Sequence, residues 1–136
     1  LTGVCVWMAF SSWALQTKNV FLNADFWKAK PSIDMVKAEI AKGASISERS
    51  NKNMDAGVIA ILNGAPEETI KYLIDQNIAN IDKPTHEGRS YLNWASLRGN
   101  EPIIRYLVEK CANVNFKDAH ETTPIQALAN SGNANL

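Results

Sequence analysis

The 136-residue sequence is short of cysteine, with two, and it has no excess of charge, since 14 Lys and Arg offset 14 Asp and Glu. Two cysteines exclude a disulfide framework and an all-cysteine zinc site. A formal charge of zero, with a pI near 6.9, removes the counterion-release argument for a general nucleic-acid or anionic-membrane binder. The motifs that announce common chemistries are missing too: there is no Gly-x-Gly-x-x-Gly, phosphate loop, Gly-x-Ser-x-Gly or Cys-x-x-Cys. An enzyme would have to assemble its site from residues that carry no recognisable spacing.

Charge is also absent locally. Residues 1–17 contain no Lys, Arg, Asp or Glu, and 11 of those 17 are apolar. The run is too short to span a bilayer alone, which takes roughly 17–25 apolar residues. It fits the apolar core of a secretory signal peptide, with Ser12 and Ala14 as the small residues at a cleavage site. Val4 separates Gly3 from Cys5, so a lipoprotein box is not expected. Without a starting Met or a basic start the signal would be truncated, and export to the bacterial periplasm or beyond is the expectation. A membrane anchor and an apolar helix packed on the domain are the alternatives.

The remaining residues, 18–136, repeat. Lys71-Tyr72-Leu73-Ile74-Asp75-Gln76 aligns with Arg105-Tyr106-Leu107-Val108-Glu109-Lys110, and Ala79-Asn80-Ile81-Asp82 with Ala112-Asn113-Val114-Asn115. An earlier copy runs from Val36 to Ile46. Gly64, Gly99 and Gly132 stand 35 and 33 residues apart, as do Ile46, Ile81 and Val114. Periods of this size mean stacked units. Nine residues after each of the last three come Asp55, Ser90 and Thr123, side chains suited to cap a helix by accepting a backbone N–H. Short helices are predicted over 55–62, 90–97 and 123–129. Apolar residues at helical spacing (Ile33, Val36, Ile40; Ile70, Leu73, Ile74; Ile103, Ile104, Leu107, Val108) predict a second helix per unit with one buried stripe. The units are 18–54, 55–89, 90–122 and a partial 123–136. Gly132-Asn133-Ala134-Asn135-Leu136 matches Gly99-Asn100-Glu101-Pro102-Ile103, so the fourth unit is expected to continue beyond the given residues.

This pattern resembles ankyrin repeats. Thr123-Pro124-Ile125-Gln126-Ala127-Leu128 and Ser90-Tyr91-Leu92-Asn93-Trp94-Ala95 stand where that family has Thr-Pro-Leu-His-x-Ala, and Asp34 to Ile46 looks like its second helix with the following tail. The resemblance implies an all-α ankyrin-repeat solenoid of stacked helix-turn-helix units with β-hairpin loops. Asn93 and Gln126 replace the family's His, Asp55-Ala56-Gly57 replaces Thr-Pro-Leu, and Cys111 replaces a glycine. A left-handed backbone at Cys111 would cost about 1 kcal/mol relative to Gly.

The resemblance also implies a non-enzymatic module that binds a protein partner through its hairpin tips and concave inner-helix face. By position, the candidate contact residues are Arg49, Asn51 and Lys52 in the first tip, Lys83, Thr85 and His86 in the second, and Lys117, Asp118 and His120 in the third. Mixed charge there favours protein over nucleic acid, and no cofactor, metal or membrane insertion of the mature domain is expected. A monomer is expected. A structural spacer within a longer protein is the alternative. His86-Glu87 and His120-Glu121 each begin like a zinc-protease helix, but the fourth residue after each His is Ser90 or Pro124, so no second ligand is presented. A metal hydrolase built on His86 and His120 is the remaining enzymatic reading. Cys111 is read as a small residue at a helix-to-loop junction, with a redox thiol as the alternative. Trp27, Tyr91 and Trp94 fill the groove between units or anchor a partner. Glu67-Glu68 complements a helix dipole.

Overall fold

The computed structural model describes residues 18–132; the charge-free segment 1–17, with its expected export signal, and residues 133–136 lie outside the described residues. Among the described residues seven α-helices follow one another: α1 (Ala24–Lys28), α2 (Ile33–Ala41), α3 (Ala56–Leu62), α4 (Glu67–Gln76), α5 (Tyr91–Leu97), α6 (Glu101–Glu109) and α7 (Pro124–Asn130). The three expected caps start their helices. Asp55 Oδ1 accepts from the Val58 N–H at 3.0 Å, Ser90 Oγ from Asn93 at 3.3 Å, and Thr123 Oγ1 from Gln126 at 3.4 Å. The last two are reciprocal, since Asn93 Oδ1 accepts from Ser90 N–H at 3.1 Å and Gln126 Oε1 from Thr123 N–H at 2.9 Å. Two orphan donors are thereby satisfied at each of these helix starts. The start of α4 has no side-chain cap, and Glu67 and Glu68 occupy its first turn, where negative charge is favoured by the dipole.

The helices form two rows. In one, α1 packs on α3, α3 on α5 and α5 on α7; in the other, α2 packs on α4 and α4 on α6. Short loops join α3 to α4 and α5 to α6, which pair across the rows. Val36, Ile70, Leu73, Ile103 and Leu107 of the row α2, α4 and α6, the outer row, point inward and are fully buried. Each unit exposes an apolar stripe that only its neighbours can cover, so stability spreads through nearest-neighbour contacts. At the N-terminal end Phe21, Phe26 and Trp27 make an aromatic cluster with ring centroids 5.0–5.6 Å apart. Trp27 is buried, with its indole N–H donated to the Phe21 carbonyl at 2.8 Å.

Where helix meets loop, Cys111 takes φ +64°. The Cys111 N–H donates to Val108 O at 3.0 Å and the Ala112 N–H to Leu107 O at 2.9 Å, the same pair that Gly43 and Ala44 make with Ile40 and Glu39. This doubly bonded helix ending requires a left-handed residue. The second unit avoids the requirement by a 3-10 turn at Ile78–Asn80.

The expected β-hairpins are reduced to tight loops, with no strand among the described residues. Two backbone bonds close each loop: Ser50 N–H to Met54 O at 2.8 Å, Thr85 N–H to Arg89 O at 2.9 Å and Asp118 N–H to Thr122 O at 3.1 Å, each with a turn bond back to the same residue's carbonyl, from Asn53, Gly88 and Glu121 at 2.9, 3.0 and 3.0 Å. Three residues past each of these donors the backbone turns to positive φ, at Asn53, Gly88 and Glu121. That turn takes the limb out of extended geometry before a second ladder bond can form.

Candidate functional site

The three loops lie side by side and are stitched together. Arg49 Nη1 donates to Asn53 Oδ1 in its own loop at 2.6 Å and to the Pro84 carbonyl of the next loop at 3.2 Å. The Ala119 N–H of the third loop donates to the Glu87 carbonyl of the second at 2.9 Å. The approach is close: a Cβ built on Gly88 would meet the Ala119 nitrogen at 3.0 Å. His86 Nε2 and His120 Nε2 lie 3.8 Å and 3.7 Å from the two carboxylate oxygens of Glu87. One continuous edge results.

Of the nine candidate residues, Arg49, Asn51, Lys52, Lys117 and His120 are exposed on this edge and His86 is half-buried. Lys117 pairs within its loop with Glu121 at 2.9 Å, and the carboxylate raises its pKa. The other three turn inward, away from a partner. Thr85 is buried; its hydroxyl donates to the Arg89 carbonyl at 2.6 Å and accepts from Trp94 Nε1 at 2.8 Å. Asp118 is buried, accepting from the His120 and Thr122 N–H groups at 2.9 and 3.0 Å and from Arg89 Nε at 3.1 Å. Burial acts to raise the Asp118 pKa, but the two backbone donors and the guanidinium outweigh it and hold the carboxyl below its ordinary value.

Lys83 leans over the Tyr91 ring, 5.1 Å from its centroid, and pairs with the buried carboxylate of Asp55. The Tyr91 hydroxyl donates to the same carboxylate at 2.8 Å. Burial, then the Asp55 charge, drives the phenol pKa far up, so Tyr91 stays a donor. These side chains face inward because each finds a specific partner there, Asp55 and the Tyr91 ring for Lys83, Trp94 for Thr85 and Arg89 for Asp118, and an unpaired buried charge is expensive.

Sequence patterns do not single out Arg89, and they name Glu87 only as the neighbour of His86. Arg89 ties the second loop to the third through Asp118, pairs with Glu87, and lies 4.8 Å from the Trp94 ring centroid, while His86 stacks near-parallel on Trp94 at 6.4 Å. The one cue in the sequence is Arg89 next to the helix-capping Ser90, but its partner Asp118 is 29 residues away and no local pattern links them. Tyr91 and Trp94 are buried between units. The inner-helix face offers little to a partner, because residues Ala56 to Ile61 of α3 and Tyr91 to Ser96 of α5 are all buried.

The family profile described as ankyrin repeats, three copies, matches residues 27–118. The protein belongs to the ankyrin-repeat family. No curated protein matches the sequence. In these ankyrin repeats Asn93, at one of the substituted positions, reaches with its Nδ2 the Phe116 and Thr122 carbonyls at 3.4 and 3.3 Å, tethering the third loop to α5. Ankyrin repeats act in general as protein-interaction modules and are typically non-enzymatic. Among the described residues no group of three or more His, Cys, Asp or Glu is placed to hold a metal ion, and no helix is long and apolar enough to cross a membrane.

Proposed function

We propose that this ankyrin-repeat protein binds a protein partner along the stitched loop edge, through Arg49, Asn51, Lys52, His86, Lys117 and His120. The observation that carries the reading is the pair of backbone-directed bonds that cross between loops, from Arg49 to Pro84 and from Ala119 to Glu87. They order the edge before association, so little conformational entropy is lost on binding. Its mixed charge suits a partner surface carrying both acidic and basic groups.

The test is site-specific photocrosslinking in the source cells, with the photoreactive residue at Lys52 or His120 on the edge or at Lys37 on the outer row. A discrete protein adduct from the edge positions alone is expected. Adducts from Lys37 and none from the edge would sink the reading.

The first 17 residues support a second proposal, that the protein is exported. Their freedom from charge and the small residues Ser12 and Ala14 carry it. Mass spectrometry of the mature N-terminus checks it: a start after Ala14 is expected, and a cytosolic protein retaining Leu1 contradicts it.

A further inference from the structure

Most charged side chains of the loop edge are matched within it. In the second loop Lys83 pairs with Asp55, and Arg89 pairs with Glu87 and with Asp118 of the third loop, where Lys117 pairs with Glu121. Every Lys, Arg, Asp and Glu in residues 83–89 and 117–121 therefore has an opposite charge beside it. The first loop breaks this rule. Arg49 and Lys52 are exposed, and among the described residues neither forms an ion pair. Residues 1–17 and 133–136 carry no Asp or Glu to supply one. The loop's own carboxylate, Glu48, is turned to the Asn19 amide at 2.9 Å.

Arg49 is held in place without being neutralised. Its Nη1 donates to two uncharged acceptors, Asn53 Oδ1 and the Pro84 carbonyl. A guanidinium has five donors in a planar fork, and those on Nε and Nη2 have no acceptor here among the described residues. That side of the fork matches the two oxygens of a carboxylate. Lys52 stands three residues on, and of its donors only the backbone N–H is bonded, to Ser50 Oγ at 3.3 Å. Two unmatched positive charges result, at one end of an otherwise balanced edge.

We propose that Arg49 and Lys52 anchor an acidic segment of the protein partner, with an Asp or Glu carboxylate on the open Nε and Nη2 of Arg49 and a second acidic group met by Lys52. The proposal rests on the loop edge being the binding surface and names the chemistry that surface takes. A nucleic acid fits less well, because its binding draws on many neutralised phosphates at once and the second and third loops have no spare cation to add. An acidic segment needs only the two that are open, and an Arg already fixed in position gives up little freedom when it binds.

The experiment follows the backbone amide resonances of the full chain by NMR at low salt as hexaglutamate is added, with hexaglutamine and a thymidine hexanucleotide as comparisons. Hexaglutamate alone is expected to bind, shifting the first loop and its neighbours around Pro84. Arg49→Gln is expected to weaken it about tenfold and Lys52→Gln about threefold. Arg49→Lys should restore little, since the fork is gone. Lys52→Gln removes a side chain that bonds nothing in the fold, so its effect is one of charge and not of folding. Lys37, which also lacks an ion pair but lies over the Tyr72 ring, is the control, and Lys37→Gln should leave the affinity unchanged. An affinity unmoved by both loop variants, an equal loss in Lys37→Gln, or tighter binding of the nucleotide at the same loop overturns the proposal. A photoadduct from His120 without a hexaglutamate response overturns this anchor and leaves the partner edge standing, whereas adducts from Lys37 alone sink the edge and the anchor with it.

Discussion

The Tyr91 hydroxyl of α5 donates to the Asp55 carboxylate at the start of α3, 2.8 Å away and 36 residues distant in sequence. One buried carboxylate thus caps its own helix through Val58, receives Tyr91 from the next unit and neutralises Lys83. Three separate interactions converge on a single side chain.

Tyr91→Phe keeps the ring and removes one of those donors. A hydrogen bond to a charged group is worth about 1.5–3 kcal/mol, and urea unfolding should report a loss in that range. Asp55→Ala should cost more, on the order of 3–5 kcal/mol, because it leaves Lys83 unpaired in a largely buried site. A smaller loss for Asp55→Ala than for Tyr91→Phe would show that the carboxylate is not the hub.

Backbone space sets a second, opposed pair. A Cβ at Gly57 would meet the Tyr91 ring at 2.8 Å, so Gly57→Ala should destabilise by about 1–3 kcal/mol through overpacking. Cys111, exposed and at φ +64°, should do the reverse: Cys111→Gly relieves a strained left-handed residue and should stabilise by up to about 1 kcal/mol. Thermal melting of the two variants should move in opposite directions.

Acid should weaken the junction between the second and third loops. The native pKa of Asp118 lies below the ordinary 3.8. The native state therefore binds its proton less readily than the unfolded state does. The stabilisation is fully present above the unfolded value and is lost as pH falls from about 4 through the lower native pKa. Asp118→Asn should flatten that acid limb in urea titrations taken between roughly pH 2 and pH 5, and an unchanged slope would contradict the assignment.

Arg89 meets two carboxylates and the flat face of Trp94 at once. A lysine keeps the charge but has neither the forked donors nor the planar group. Arg89→Lys should therefore recover little of the stability lost in Arg89→Ala, measured by urea unfolding. Full recovery would reduce the role of Arg89 to charge alone.

The helix starts were legible because capping is local: Asp55, Ser90 and Thr123 each bond a backbone N–H three residues ahead. The apolar stripes of α4 and α6 were legible for the same reason, since helical spacing places them on one face. The loop residues were not. Thr85 and Asp118 read as polar tips, yet both face inward, because Trp94 and Arg89 wait for them. The resemblance implied β-hairpin loops, yet a left-handed residue in each loop closes it as a tight turn with no strand among the described residues.

The sequence by itself determined the 33- to 35-residue period, which is written in its repeats, and the caps and the two helices per unit, which follow from contacts within a few residues. Tertiary structure alone decided which loop side chains stay in solvent. It also decided that the inner helices are buried and that Arg89, Lys83 and Tyr91 join neighbouring units. For Lys83, Tyr91, Arg89 and Asp118 those outcomes rest on partners about 30 residues away, where a buried charge or donor settles its direction by the partner it finds and not by its place in the repeat.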